Sequence, residues 1–166
     1  VALFNNQFWV SQWNSARIYV LNFDGSLAMD TTIAVITGTR SITTDGTSLY
    51  FGTASTVIYK VNTTTMTTTQ TINISTVSNA EARMCTYDAT LDNGNGGFWI
   101  GDFSSDIASV NMSGTELSVI PSATHGLAIY GGAFDNYSPG GPFLWVFDQS
   151  GTNQTNIVQV NPSTGV

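Results

Sequence analysis

The chain has 166 residues, of which only 9% are charged, and its 4 Lys and Arg against 11 Asp and Glu leave a formal net charge of -7. A nucleic-acid partner is disfavoured, because phosphate binding depends on a concentrated set of basic side chains that displace counterions. Thr, Val, Ile and aromatic residues are frequent, whereas the long charged side chains that favour helices are scarce. This composition predicts an all-β fold.

Neither a membrane span nor an internal disulfide is predicted. No stretch approaches the roughly 20 apolar residues that a helix needs to cross a bilayer. Cys85 is the only cysteine, and its apolar sequence neighbours indicate a buried, unreactive thiol.

Four similar segments follow one another along the chain. Each consists of an aromatic strand, a polar loop, a second alternating strand and an Asn that begins a turn. In chain order, these strand pairs are residues 8–10 with 17–22, 49–51 with 57–62, 98–100 with 107–111, and 144–146 with 156–161. The aromatic anchors of the four segments are 41, 49 and 46 positions apart and are Trp9, Tyr50, Trp99 and Trp145.

The remaining strands are placed from this frame. Inner strands are predicted at residues 41–44, 84–87 and 126–129, and outer strands at residues 27–35, 67–74 and 116–120. A period in the forties with four short strands per unit is typical of β-propeller blades. One small sheet cannot bury both of its faces alone, but radially stacked sheets cover each other.

The predicted fold is therefore an all-β β-propeller with about four four-stranded blades, at approximately residues 1–39, 40–82, 83–124 and 125–166. The first blade begins at the end of its inner strand and the last stops after its third strand, so the propeller is expected to be partial. We expect a ring of roughly six to eight blades. It is completed either by further chain, which we favour, or by a second copy.

Two stretches resemble a known repeat. Residues 8–25 contain an aromatic strand, then Arg17-Ile18-Tyr19-Val20 and Asp24-Gly25, and residues 45–51 read Asp-Gly-Thr-Ser-Leu-Tyr-Phe. Both are similar to NHL and YncE-like propeller repeats, which implies blade geometry but no particular activity. The Thr-, Ser- and Asn-rich style further resembles secreted Bacteroidetes surface proteins that use type IX secretion. That resemblance implies an extracellular or cell-surface location.

Signatures of catalysis are mostly missing. His125 is the only histidine, so a site with several His ligands is impossible and a Ser-His-Asp triad has one candidate base. Two Asp pairs, Asp88 with Asp92 and Asp102 with Asp106, could approach the roughly 5–10 Å separation of glycosidase carboxyls. Asp in turns more often bonds nearby backbone. We predict no cofactor, no metal and no catalytic residue.

The basic residues are more informative. Arg40, Arg83 and His125 are 43 and 42 positions apart and precede the predicted inner strands. Inner strands line the channel of a propeller, and their starts lie on the face that also carries the loop with Trp13 and Arg17. We predict that these five residues form an anion-binding channel mouth. The alternative is that each Arg pairs with a local acid, such as Glu81 or Asp45, and only braces blade packing.

Three functions are compatible with these patterns. The first is an extracellular, non-catalytic binding or adhesion module that recognises a protein or a glycan, with anionic ligands included, through its loop face. The second is a propeller lyase or hydrolase that acts on acidic polysaccharide, with a loop Asp and His125 as base. The third is a structural spacer in a large surface protein.

Overall fold

A computed structural model describes residues 1–77, 81–103, 105–151 and 155–166. The first sheet contains β1 (Ala2–Phe4), β2 (Gln7–Ser11), β3 (Arg17–Leu21) and β4 (Leu27–Thr32). The second contains β5 (Thr39–Thr44), β6 (Leu49–Thr53), β7 (Val57–Asn62) and β8 (Thr67–Asn73). The third contains β9 (Met84–Asp88), β10 (Gly97–Gly101), β11 (Ile107–Asn111) and β12 (Glu116–Ile120). The fourth contains β13 (Ile129–Asp135), β14 (Phe143–Asp148) and β15 (Asn156–Val160).

Each sheet is an antiparallel meander in which neighbouring strands follow one another in sequence. The first strands of the second, third and fourth sheets pack side by side around a common axis. The all-β class and the β-propeller arrangement are therefore confirmed. Two short helical turns, α1 (Leu91–Gly94) and α2 (Ser122–His125), lie between strands. Within the described ranges, no helix combines the length and the apolar character needed to cross a membrane.

The strand frame read from the sequence agrees with the structure apart from the bounds of a few strands, and the largest difference is at the inner strand of the fourth blade. That strand was expected at residues 126–129, but β13 runs from Ile129 to Asp135. Gly126 has a left-handed backbone (φ +64°) and ends α2 instead of entering a strand. The outer strand β4 also ends at Thr32, earlier than the predicted residue 35.

A carboxylate at the end of the inner strand ties each later blade together. In the second blade the hydroxyl of Tyr50 donates to Asp45 Oδ2 at 2.8 Å. In the third, the indole Nε1 of Trp99 donates to the buried Asp88 Oδ2 at 3.0 Å. In the fourth, the indole Nε1 of Trp145 donates to Asp135 Oδ2 at 3.2 Å. These three Asp residues also accept backbone N–H groups of the following turns, so they are structural.

The first blade lacks this bond. Phe4 occupies the position of the carboxylate and packs edge-on against Trp9, with ring centroids 6.4 Å apart. The Nε1 of Trp9 is consequently buried with no hydrogen-bond partner in the described part of the chain. A buried donor without a hydrogen-bond partner lowers the free energy of unfolding.

Neighbouring blades are held by apolar clusters and by hydrogen bonds between inner strands. One cluster joins the first and second sheets, another the second and third, and another the third and fourth. The Oγ1 of Thr43 accepts the N–H of Tyr87, and the Oγ1 of Thr86 accepts the N–H of Phe134, both at 2.9 Å. These bonds lie toward the ends of the inner strands and hold the strands side by side, whereas the candidate site lies at the starts of the same strands.

Candidate functional site at one mouth of the channel

The inner strands bring Arg40 and Arg83 to equivalent places. Each lies three residues before the inner-strand residue that pairs with the aromatic anchor of its blade. In the fourth blade Ala133 pairs with the anchor Trp145, and the residue three positions before Ala133 is Tyr130. His125 therefore does not share this position, because the fourth inner strand begins later than the sequence indicated.

Arg83 is enclosed by the third and fourth blades. Its Nε donates to Asp102 Oδ1 in a largely buried ion pair. Its guanidinium carbon lies 3.8 Å from the ring centroid of Phe103 and 5.7 Å from that of Tyr130. The two rings contact each other edge-on at 4.7 Å. Arg83 thus joins a loop of the third blade to the inner strand of the fourth, through charge and cation–π contacts.

Glu81 adds a second carboxyl to this group. Its pKa is raised above the usual value, first because its side chain hydrogen-bonds Asp102 and second because it is partly buried, while Arg83 and Arg40 oppose the shift. Because two neighbouring carboxyl groups oppose each other's ionisation, Glu81 stays neutral to a higher pH than an isolated glutamate. Glu81, Asp102, Arg83 and Arg40 therefore form one electrostatic cluster.

Arg40 lies at the open side of this cluster. Its Nη1 donates to the carbonyl of Gly38 at 3.2 Å, and its Nε is buried with no hydrogen-bond partner among the described residues. Trp13, 72% exposed, lies with its ring 5.3 Å from the guanidinium carbon. Burial and the charge of Arg83 lower the pKa of Arg40, although a guanidinium remains a cation at neutral pH.

A cleft of about 450 Å³ opens next to Arg40. Its size falls within the usual range of small-ligand sites, about 300–1,000 Å³. Hydroxyl, amide and aromatic side chains line the cleft together with the guanidinium, among them Asn14, Thr53, Ser55 and Tyr59. This lining can hydrogen-bond and stack on a polar ligand while the guanidinium holds an anionic group.

Arg17 lies away from this cleft. Both Nε and Nη2 of Arg17 donate to the two carboxylate oxygens of Asp30 on the neighbouring strand, and the guanidinium lies 5.2 Å from the ring of Tyr19. The Arg17 and Asp30 side chains are exposed. Their hydrogen bond raises the pKa of Arg17 and lowers the pKa of Asp30, which favours the ion pair. The structure therefore gives Arg17 a local acidic partner.

His125 is held by backbone groups at both ring nitrogens. Nδ1 accepts the N–H of Leu127 at 3.0 Å, and Nε2 lies 3.1 Å from the carbonyl oxygen of Ser105. Nε2 must therefore carry the proton and donate it to that carbonyl. Burial lowers the pKa of His125, with smaller opposing effects of the Ser105 bond and of Asp106 and Asp148. A neutral ring with both nitrogens engaged fastens two loops and is poorly placed to take a proton from a substrate.

Three of the four Asp residues in the two pairs noted in the sequence have structural partners for their carboxylates. Asp88 holds Trp99, Asp102 holds Arg83, and Asp106 Oδ1 accepts the N–H of Ser122 at 2.7 Å. Asp92 lies in a left-handed turn within α1. Across the described ranges, His, Cys, Asp and Glu side chains form no group of three or more suited to a metal ion.

Sequence reasoning missed Tyr130 as a member of the site, and it named Glu81 only as a possible acid partner of an Arg. Tyr130 was hidden by the misplaced inner strand, and it could have been found by counting back from the turn at Asp135, as from Asp45 and Asp88. Glu81 precedes Arg83 by two residues, and no sequence signal shows that it reaches Asp102.

The fold and this mouth define a β-propeller with a mixed cationic and aromatic loop face. No protein-family model matches the chain, and the comparison with curated proteins finds no match. Solved structures do match. A hydrazine synthase of Kuenenia stuttgartiensis superposes with a TM-score of 0.62 at 12% identity, over 99% of this chain and 45% of that chain. The Pan2 WD40 domain of Neurospora crassa superposes with a TM-score of 0.63 at 8% identity, again over 99% of this chain and 45% of that chain.

At these identities the comparisons support the propeller fold alone. The chain spans less than half the length of either matched structure. The NHL or YncE-like resemblance, the style of secretion and the binding role of the five mouth residues stay predictions.

Proposed function

We propose that the chain is an extracellular, non-catalytic binding module that recognises an anionic group on a glycan or a protein at the cleft beside Arg40. The propeller fold supports a binding role, since its loop faces present adjustable side chains on a rigid scaffold. The low-charge surface rich in Thr, Ser and Asn supports an extracellular location. The geometry of His125 gives no support to the enzymatic alternative.

The observation that carries the proposal is the state of Arg40. Its guanidinium is fixed between Trp13 and the carbonyl of Gly38, yet its buried Nε has no partner in the described chain. An unpaired donor on a cation is costly unless something pairs with it. A carboxylate or sulfate in the cleft would accept from this guanidinium, while Tyr59 in the cleft lining and Trp13 beside the guanidinium contact the ligand body.

Binding of a galacturonic acid trisaccharide and of a Glu-rich hexapeptide, measured by titration calorimetry, tests the proposal. We expect one of them to bind the wild type, and Arg40→Gln to weaken it about tenfold or more, as loss of a charge-assisted bond predicts. Trp13→Ala is expected to weaken it less, by about threefold. Arg17→Gln is the matched control, because Arg17 is already paired with Asp30, and should change nothing. Equal affinity of wild type and Arg40→Gln, or no binding of either probe, contradicts the proposal.

A further inference from the structure

A second cleft opens at the other mouth of the channel, where the inner strands end. Its volume is about 370 Å³, which is within the usual range of small-ligand sites, about 300–1,000 Å³. The second, third and fourth blades each supply part of its wall, and its lining includes Asp45, Tyr87, Phe134 and Tyr137. Neighbouring blades therefore build this cleft together, and its walls do not depend on what covers the outer faces of the first and fourth blades.

The strand register brings aromatic rings into this cleft. Tyr87 and Phe134 each follow the inner-strand residue that pairs with the aromatic anchor of its blade, so they occupy equivalent positions on β9 and β13. The half-buried ring of Tyr87 packs edge-on against Phe98, with centroids 5.9 Å apart. The N–H of Phe134 donates to Thr86 Oγ1 at 2.9 Å. Tyr137, 93% exposed, adds a third ring from the following turn. Blade packing thus holds two of the three rings in place.

One carboxylate, that of Asp45, belongs to the same lining. Its Oδ1 accepts the N–H and the hydroxyl of Thr47 and the N–H of Ser48. Its Oδ2 accepts the hydroxyl of Tyr50. Burial raises the pKa of Asp45, but these hydrogen bonds outweigh burial and hold the pKa below its usual value. Because an ionised carboxylate has about four lone-pair sites, Asp45 keeps its charge and has little capacity for further hydrogen bonds.

The charge around this cleft is negative. The pKa of Tyr87 is raised, first by burial and then by the charges of Asp45 and Asp88, so the field of these carboxylates reaches the aromatic ring. In the described part of the chain, the lining contains no Lys, Arg or His. Lys60 is on β7, with Nζ 5.6 Å from the ring centroid of Tyr50. A cation in the cleft is therefore attracted both by the rings and by the carboxylates.

We propose that this cleft binds a quaternary ammonium group, as carried by choline or by a trimethylated lysine. Such a cation is attracted by the faces of aromatic rings. It has no N–H, so it needs none of the acceptor sites that Asp45 has already filled. An ordinary lysine ammonium has three donors, which would lose water in the cleft and find few free acceptors. The inference does not rest on the proposed function, because Arg40 lies about 13 Å from Thr44 along β5, toward the opposite mouth.

NMR titration of the isotope-labelled chain with choline tests the proposal. Dimethylbutanol, in which a carbon replaces the ammonium nitrogen of choline, is the neutral probe of the same shape. We expect choline to shift the amide signals of Tyr87 and Phe134, and dimethylbutanol to bind at least about tenfold more weakly. Tyr137→Leu, which removes an exposed ring but keeps an apolar side chain, should weaken choline binding about threefold. Phe23→Leu is the matched control, because Phe23 is an exposed ring (62%) outside the cleft.

A peptide that contains one trimethyllysine, compared with the same peptide containing ordinary lysine, distinguishes the sources of the group. Tighter binding of the methylated peptide than of choline supports the site with a protein ligand, and tighter binding of choline supports it with a choline-bearing small molecule or headgroup. Equal affinity for choline and dimethylbutanol overturns the proposal, as does equal affinity for the two peptides. Absence of binding by both choline and the methylated peptide also overturns it, and equal weakening by Phe23→Leu and Tyr137→Leu overturns the assignment to this cleft.

Discussion

Trp9 and Trp99 occupy equivalent positions in two blades and differ in one hydrogen bond. Both indoles are buried, but only Trp99 has a carboxylate, Asp88, to accept its N–H. Replacement by Phe removes a similar apolar area at both sites. At position 99 it also leaves a buried carboxylate oxygen without its donor, whereas at position 9 it removes a donor that had no partner.

We therefore expect Trp99→Phe to lower the free energy of unfolding by about 1–3 kcal/mol more than Trp9→Phe does. Urea denaturation of the two variants, followed by circular dichroism, measures the difference. Equal losses in both variants would mean that the bond to Asp88 contributes nothing net to stability.

The aromatic anchors were readable from the sequence and their carboxylate partners were not. Tyr50, Trp99 and Trp145 stand out because aromatic residues recur at blade spacing. The partner lies five residues before the anchor in the second blade, at Asp45, and eleven before it in the third, at Asp88. A turn of variable length separates the two, so the pairing has no constant sequence spacing and appears only once the strand register is known.

At the scale of the strand, the local sequence pattern predicted most strand boundaries. It was wrong where tertiary contacts determine the boundary. β12 has the expected bounds of residues 116–120. The fourth inner strand differs because Gly131 and Gly132 interrupt the apolar alternation that sequence analysis relies on. Pairing with β14 extends this strand to Asp135 in spite of those glycines.

Two glycines in antiparallel strands, Gly52 and Gly131, should respond in opposite ways to a methyl group. A Cβ at Gly52 would overlap the carbonyl oxygen of Ala82 and lie 2.7 Å from Cβ of Cys85, on the neighbouring blade. A Cβ at Gly131 has open space around it. Neither position has a positive φ, so the comparison isolates packing from backbone strain.

Gly52→Ala is accordingly expected to destabilise the fold by about 1–3 kcal/mol, because blades two and three must separate to admit the methyl group. Gly131→Ala should be neutral or stabilising by less than about 1 kcal/mol, since it restricts the unfolded chain. Thermal unfolding of both variants distinguishes them. A Gly52→Ala protein as stable as Gly131→Ala would show that the blade interface yields easily.

Across the whole molecule, the repeat separates charge along the channel axis. Arg40 and Arg83 stand near the starts of inner strands, whereas Asp45, Asp88 and Asp135 stand at their ends. The net charge of -7 therefore does not describe the mouth at which an anion is proposed to bind. The composition shows only that basic residues are scarce, whereas the repeat spacing predicts that Arg40 and Arg83 share one mouth, and the inner strands bring them to equivalent places there.

The charge of this mouth depends on pH through Glu81. Below its raised pKa, Glu81 is neutral and the two guanidinium groups face only Asp102. As the pH rises through that pKa, Glu81 becomes an anion, and its negative charge lowers the net positive charge beside Arg40. An anionic ligand in the Arg40 cleft should therefore bind more tightly on the acidic side of this transition.

Affinity for whichever anionic probe binds is expected to fall about fivefold as the pH is raised from the acidic to the alkaline side of the Glu81 transition, as a change of roughly 1 kcal/mol between unit charges near 4 Å in water predicts. Glu81→Gln, which keeps a donor for Asp102 but cannot ionise, should bind with the affinity of the acidic form throughout. Calorimetric titrations of both proteins across this range measure the effect. If the wild type and the Glu81→Gln variant have the same pH profile, Glu81 does not influence ligand binding and Arg40 acts without it.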